Sequence, residues 1–362
     1  MNDPYTEHND LGVSSLRSGD LQKAKNFFEK AIEIDSSRIS AHNNLGLVFK
    51  ELGELESSKN CFEKVIKINS NHEKAHNNLG IVLLQSGDLD KAKSYFEKAI
   101  KIKPDYLNAY WNLHSFAQNI DEALTILKKI CKIDKSFIKA KIMITALQGF
   151  KGNFSEFNTL NISSVSKHPY MRSVKWIFSL PQLPKIFFNR WSFFDGVSIL
   201  ADKSRPFYEF GVWYGVTFKY LINTFKKGFG FDTFTGLPES WHHEAKGRYS
   251  SFGSIPKING GEFIVGKFED TLPKFFSNQK PMASLINFDA DLYSSTLCAL
   301  NYSNKVIDDK TILVFDEFIM SDSWEKDEYK ALNDFCNNLG FSYEVVAISF
   351  FSKQVAVKLI KN

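Results

Sequence analysis

The sequence predicts two architectures in series, α + α/β: an N-terminal α-solenoid and a C-terminal doubly wound, seven-stranded sheet whose last strand is antiparallel. Three observations predict this. The first 150 residues repeat themselves with a period of 34. From about residue 206, short apolar runs alternate with helical patterns, as in parallel strands joined by crossover helices. The last two of these runs are separated only by residues 348–353. A parallel crossover needs about a dozen residues, so the final strand has to reverse.

Length and composition set the frame. A chain of 362 residues suits two or three domains with large cores. It is 43% hydrophobic and 24% charged, a globular composition. The net charge of +4 is spread over interleaved Lys and Glu, which argues against nucleic acid and for solvated helix faces. Cys61, Cys131, Cys298 and Cys336 lie far apart, without a Cys-x-x-Cys or neighbouring histidine pairs. They read as thiols in a reducing compartment, not as a disulfide framework or zinc site. The first residues are polar and acidic, unlike a signal peptide, and no apolar run approaches the roughly 18 residues of a membrane span. The expectation is a cytoplasmic protein.

The repeat array comes first. Asn9-Asp-Leu-Gly12, Asn43-Asn-Leu-Gly46 and Asn77-Asn-Leu-Gly80 recur in register, followed by Gly19, Gly53 and Gly87 and by Phe28, Phe62 and Phe96. Small residues Ala31 and Ala99 share a position with Val65, and Pro104 closes a unit. This pattern resembles the tetratricopeptide repeat. The repeats are expected at about 5–38, 39–72, 73–106 and 107–137, the fourth three residues short, followed by a capping helix at about 138–150, so that 1–150 forms one array. Each unit is two amphipathic helices that bury their apolar faces only by stacking. Gly19, Gly53 and Gly87 suit positive φ after first helices, and Asp20 and Asp88 suit the caps of second helices. Asp10, Asn44, Asn78 and Asn112 recur at one position of successive first helices. In this family such a ladder can hold a peptide backbone on the concave face. The alternatives are hydrogen bonds between repeats, or an array that self-associates into a homo-oligomer.

Residues 151–205 change character. Gly152-Asn153 breaks the pattern, and Trp176, Phe178, Phe187, Phe188, Trp191, Phe193 and Phe194 crowd a stretch cut by Pro181 and Pro184. It reads as a packed helical collar of short helices. Arg190 is a candidate for a functional role, although nothing in the sequence requires one.

The third region, 206–362, has strands expected at 207–209, 228–232, 263–265, 283–289, 311–315, 343–347 and 354–359. Helices are expected near 216–225, 270–277, 295–305 and 325–339. Glu209 would end the first strand, Gly211 and Gly215 would let backbone or ligand approach closely, and Asp232 would end the second strand. Alone, such a turn is often only a tight strand-to-helix connection. The long loop 233–262 carries His242, His243, Arg248 and Tyr249, and loops of that length tend to be lids. Its histidines are candidates for a base or a phosphate contact, or a plain surface pair.

Five motifs in one order extend the reading. They are Tyr208-Glu-Phe-Gly-Val-Trp-Tyr-Gly215, Gly230-Phe-Asp-Thr-Phe-Thr-Gly-Leu-Pro-Glu239, Gly266-Lys-Phe-Glu-Asp-Thr-Leu-Pro273, Ile286-Asn-Phe-Asp-Ala-Asp-Leu-Tyr-Ser-Ser-Thr296 and Leu313-Val-Phe-Asp-Glu-Phe318. Together they resemble the macrocin-type sugar O-methyltransferases, which have the class I methyltransferase fold, a Rossmann-like sheet with an antiparallel last strand. The resemblance implies S-adenosyl-L-methionine as cofactor, usually with a divalent metal such as Mg²⁺. It implies that Glu209, Gly211 and Gly215 bound the methionine moiety, that Asp232 holds the ribose, and that Phe268 and Glu269 meet the adenine. It places Asp289, Asp291, Asp316 and Glu317 at the mouths of adjacent strands as metal ligands, with Asp291 and Asp289 as candidate catalytic groups beside His243 of the long loop. Four carboxylates there repel one another unless protonated or balanced by a cation. The family commonly has two aspartates at the last pair, and Glu317 departs from that. The alternative is that Asp289 binds only the cofactor and Asp291 caps a helix.

The expected activity is methyl transfer to a sugar or glycan hydroxyl, with the repeats recruiting a partner. The competing expectations are an interaction scaffold whose α/β domain is inactive, and an NAD-dependent enzyme, which the missing Gly-x-Gly-x-x-Gly disfavours.

Overall fold

A computed structural model describes residues 3–242 and 244–361. The chain forms two compact units. The first runs to Phe116 and includes Lys132–Asp134; the second comprises Ala117–Cys131 and the chain from Lys135 onward. No helix among the described residues is long and apolar enough to cross a membrane.

The first unit is built of helix pairs: α1 (Pro4–Arg17) with α2 (Leu21–Ile34), α3 (Ile39–Glu51) with α4 (Leu55–Ile68), and α5 (Glu73–Gln85) with α6 (Leu89–Ile102). A shorter α7 (Leu107–Leu113) follows and tightens into a 3₁₀ turn at His114–Phe116. The turn glycines do what their spacing predicts. Gly19, Gly53 and Gly87 have φ of 81°, 75° and 85°, a region that a Cβ disfavours. The side chains of Asp20 and Asp88 accept from the backbone N–H of Lys23 and Lys91, capping α2 and α6. The Leu-Gly pairs have a packing reason. A Cβ on Gly12, Gly46 or Gly80 would come within 2.6–2.8 Å of the ring of Phe28, Phe62 or Phe96. Those three rings are fully buried and fill each repeat.

The second unit opens with α8 (Ile120–Ile133), α9 (Ile138–Phe150), α10 (Ser155–Asn161) and α11 (Pro169–Ser179). Then come β1 (Lys185–Phe187), α12 (Arg190–Ser198), β2 (Phe207–Phe210), α13 (Val216–Phe225), β3 (Gly228–Asp232), β4 (Gly261–Val265) and α14 (Phe268–Phe275). It closes with β5 (Leu285–Phe288), α15 (Tyr293–Ser303), β6 (Ile312–Phe315), α16 (Glu328–Leu339), β7 (Phe341–Ser349) and β8 (Val355–Lys361). The strands form one mixed sheet in the order β1-β7-β8-β6-β5-β2-β3-β4. As the short connection required, β8 runs antiparallel to both β7 and β6.

Among the described residues the sheet has eight strands, not the expected seven. The extra one is β1, which pairs parallel with β7 at the edge. The segment read as a helical collar supplies it. Three residues are too few to show a period-two pattern, so the strand is invisible until its partner is in place. Helix α12 is not a spacer either. Phe193, Phe194 and Val197 join Phe207, Phe218 and Leu285 in the core.

The phenylalanine content is explained at the carboxyl ends of the strands. Phe231, Phe210, Phe288 and Phe315 stand in register on neighbouring strands. Their rings stack with centroids 4.8, 5.4 and 4.9 Å apart. Fully buried parallel strands read as continuous apolar runs, as Leu285–Phe288 and Ile312–Phe315 do. The ladder forms a rigid floor beneath the loops that leave these strands.

Candidate functional site

The strand order reverses between β2 and β5. From β2 the chain moves outward to β3 and β4; from β5 it moves the other way to β6. Ligands bind outside the carboxyl ends of the strands at such a switch point. Glu209 and Asn287 sit opposite each other there. Asn287 Nδ2 donates to Glu209 Oε1 at 2.9 Å, while Glu209 Oε2 is buried without a partner. Burial holds the Glu209 carboxyl well above the ordinary carboxylate value, and Asp289 adds to it, against the Asn287 hydrogen bond and the charge of Arg190.

The glycine turn is tightly constrained. Gly211 has φ 90°, and a Cβ there would lie 1.8 Å from the carbonyl oxygen of Asp289. The turn continues through Trp213 at φ 51° to Gly215 at φ 73°, which opens α13. Asp232 braces it. Its Oδ2 accepts from the backbone N–H of Val212 and Trp213, each at 2.7 Å, and its Oδ1 from that of Phe234 at 2.7 Å. A carboxylate has about four acceptor sites, so one remains for a ligand. Phe268 packs edge-on against Phe210 at 5.6 Å, and Glu269 is exposed at the start of α14 beside Lys267.

The acids at the ends of β5 and β6 gather in one place, and the two after β6 are already engaged. Asp316 is buried; its Oδ1 accepts from Gln354 Nε2 at 2.7 Å and its Oδ2 from Arg190. Both oxygens of Glu317 accept from Lys353 Nζ, at 2.7 and 3.0 Å. Asp289 and Asp291 have carboxyls raised well above the usual range, first by burial and then by neighbouring acids. Asp291 also holds an unfavourable left-handed φ of 59°. Burial opposes charge on Arg190, but Asp316, Asp289, Glu317 and Glu209 outweigh it and raise its pKa.

Among the described residues, no three His, Cys, Asp or Glu side chains come together as a metal site. Of the expected set of Asp289, Asp291, Asp316 and Glu317, the last two spend their oxygens on Gln354, Arg190 and Lys353.

Sequence reasoning missed Lys353 and Glu328 and gave Arg190 no partner. Lys353 lies in the β7–β8 turn and Arg190 opens α12; only the fold brings them to the acids. Glu328 is fully buried at the start of α16, its Oε2 accepting from the Glu317 N–H at 3.0 Å and its Oε1 without a partner. Burial, then Asp316, Asp291 and Asp289, raise its carboxyl well above the ordinary value. An acid in a first helical turn is unremarkable by sequence. Among the loop candidates, His242 is held by Asp327 at 2.7 Å through Nε2. Arg248 pairs with Glu244 at 3.0 Å. His243 lies outside the described residues.

In the first unit, the repeated polar position links neighbouring repeats. Asn112 Nδ2 donates to Asn77 Oδ1 at 2.9 Å, and Asn44 Nδ2 to Asn9 Oδ1 at 3.4 Å. Asn112 is buried, Asn44 and Asn78 are half-buried, and Asp10 is exposed. Two of the four expected groove residues thus serve contacts between first helices.

Residues 8–38, 39–72 and 73–106 match tetratricopeptide repeat models. The N-terminal segment is made of these repeats, which indicate a protein-interaction scaffold. Among solved structures, the pilF protein of Pseudomonas aeruginosa is 20% identical over 43% of this chain and 72% of its own, with a TM-score of 0.40. The TPR protein YrrB, whose peptide-binding site is unusual, is 20% identical over 47% of this chain and 90% of its own, at 0.37. MamA from Desulfovibrio magneticus RS-1 is 19% identical over 44% of this chain and 94% of its own, at 0.39. No curated protein matches this chain.

Proposed function

We propose that the chain is an S-adenosyl-L-methionine-dependent O-methyltransferase acting on a hydroxyl of a sugar or glycan, with the repeats recruiting a protein or peptide partner. The observation that carries the reading is the switch point, where Gly211 turns tightly against Asp289 and leaves Glu209 Oε2 buried and unpartnered. An orphaned buried carboxylate oxygen calls for a donor, and the ammonium of the cofactor's methionine end is one. The ordered motifs of the C-terminal region and the reversed β8 add support. The sugar acceptor rests on the resemblance to macrocin-type enzymes.

When bound, the cofactor supplies a methyl group on a positively charged sulfur. The chain's part is to hold and to take a proton. Glu209 and Asp289 would hold the methionine end, the remaining acceptor capacity of Asp232 the ribose, and Phe268 the adenine edge. Asp291 would take the proton of the acceptor hydroxyl. Burial and the neighbouring acids raise its carboxyl well above the ordinary range, so that it holds a proton more tightly than a free aspartate.

Ligand-dependent melting of the full chain tests this. S-adenosylhomocysteine at about 100 times its dissociation constant should stabilise the second unit by about 2.7 kcal/mol. Glu209→Gln should weaken that shift, and Asp291→Asn should keep the shift while stopping methyl transfer. A shift with NAD and none with S-adenosylhomocysteine overturns the proposal. A second reading, an interaction scaffold whose α/β unit is inactive, takes its support from the repeats matched over 8–106, which indicate protein interaction. It predicts no shift with either ligand.

A further inference from the structure

We propose that Arg190 and Lys353 take the electrostatic place of a divalent cation at this site, so that the chain itself balances Asp316 and Glu317 at the end of β6 and these acids bind no metal. Three separate segments build the arrangement. Lys353, in the β7–β8 turn, holds both oxygens of Glu317, and Arg190, opening α12, holds Asp316. Gln354, next in the same turn, fills the other oxygen of Asp316 at 2.7 Å. Every oxygen of this acidic pair is therefore occupied by a donor of the chain.

A magnesium ion demands near-ideal octahedral oxygen geometry. To gain it here, the ion would have to displace an ammonium from two oxygens and settle near two like charges. Lys353 is also held in left-handed backbone at φ 63°, an arrangement that persists only when its surroundings enforce it. The guanidinium of Arg190 keeps its proton throughout the working pH range, so that charge is permanent. The residue type agrees. Where an aspartate pair would sit close to a shared ion, Glu317 has a longer arm, which reaches the Lys353 ammonium.

The inference concerns cation binding and is measured without turnover. The full chain is titrated with MgCl₂ by calorimetry and by thermal melting, with EDTA as the reference. Wild type should show no saturable heat and the same melting temperature in magnesium and in EDTA. Lys353→Met, which frees both oxygens of Glu317, should acquire a magnesium-dependent rise in melting temperature. Lys353→Arg should behave as wild type. Saturable magnesium binding by wild type overturns the proposal, as does a Lys353→Met variant that folds and ignores magnesium. Should Lys353→Met not fold, the wild-type titration decides alone. A chain that ignores S-adenosylhomocysteine yet shows this magnesium pattern loses the methyl-transfer reading and keeps this one.

Discussion

In the first unit, Gly12, Gly46 and Gly80 each face a phenylalanine ring from their own repeat; in the second, Gly211 faces the backbone carbonyl of Asp289, the residue after mid-sheet β5. A ring can tilt about its side-chain torsions, and a strand in mid-sheet cannot give way. The contrast extends to charge. The first unit buries His114, whose pKa falls to about 4 because burial disfavours the imidazolium. The second buries Glu209 and Glu328, with Asp289 and Asp291 half-buried beside them, and desolvation raises the pKa values of all four. A repeat array satisfies itself over short sequence distances. An α/β site is assembled from many segments, which is how it collects groups that none of them would tolerate alone.

The largest expected effect separates the two kinds of glycine. Gly211→Ala combines a positive φ with a clash at 1.8 Å on backbone, and should cost on the order of 5 kcal/mol. Gly46→Ala meets ring atoms at 2.8 Å and should cost about 1–3 kcal/mol. Segment-resolved hydrogen exchange should show lost protection in β2–β6 for the first and in α3–α6 for the second. Equal losses would break the distinction.

Acidification should move the units in opposite directions. His114 is harder to protonate folded than unfolded, so the first unit loses stability as pH falls from 6.5 towards about 4, by up to about 3 kcal/mol. The buried acids hold protons more tightly folded than unfolded. Their contribution is fully present below the ordinary values of 3.8 and 4.5 and is lost as pH rises through their raised folded values. Protection in β2–β6 should therefore strengthen relative to α5–α7 between neutrality and pH 4.5; parallel weakening of both would remove the buried acids from the account.

The smallest effect tests how local the repeats are. Asp20→Ala and Asp88→Ala each remove a cap bond and should cost about 1 kcal/mol. Glu54 occupies the same position in the middle repeat but makes no cap bond, and Glu54→Ala should cost a few tenths of a kcal/mol at most. Denaturant midpoints of the three variants provide the check.

Legibility in the sequence followed sequence distance. The helix expected at 138–150 is α9, Ile138–Phe150, and the strand expected at 228–232 is β3, Gly228–Asp232. Both are set by patterns within a dozen residues. The edge strand Lys185–Phe187 left no such trace because it exists only by pairing with β7. The acids at the site were readable as residues following buried strands. Their partners were not, because Arg190 precedes Asp316 by 126 positions and Lys353 follows Glu317 by 36. The double duty of Asp232, bracing the turn it was expected to serve, was equally out of reach.

By itself, then, the sequence determined the repeat period, the turn glycines and caps, the alternation of strand and helix, and the reversal of β8. Each is a constraint on neighbouring residues: a φ angle, a cap bond, a crossover too short to make. Tertiary structure alone decided which acids share a pocket of charge, which cations meet them, and which of the polar positions in the repeats turn inward. Those outcomes depend on burial and on Coulomb interactions across distant segments, and neither is defined until the sheet has closed.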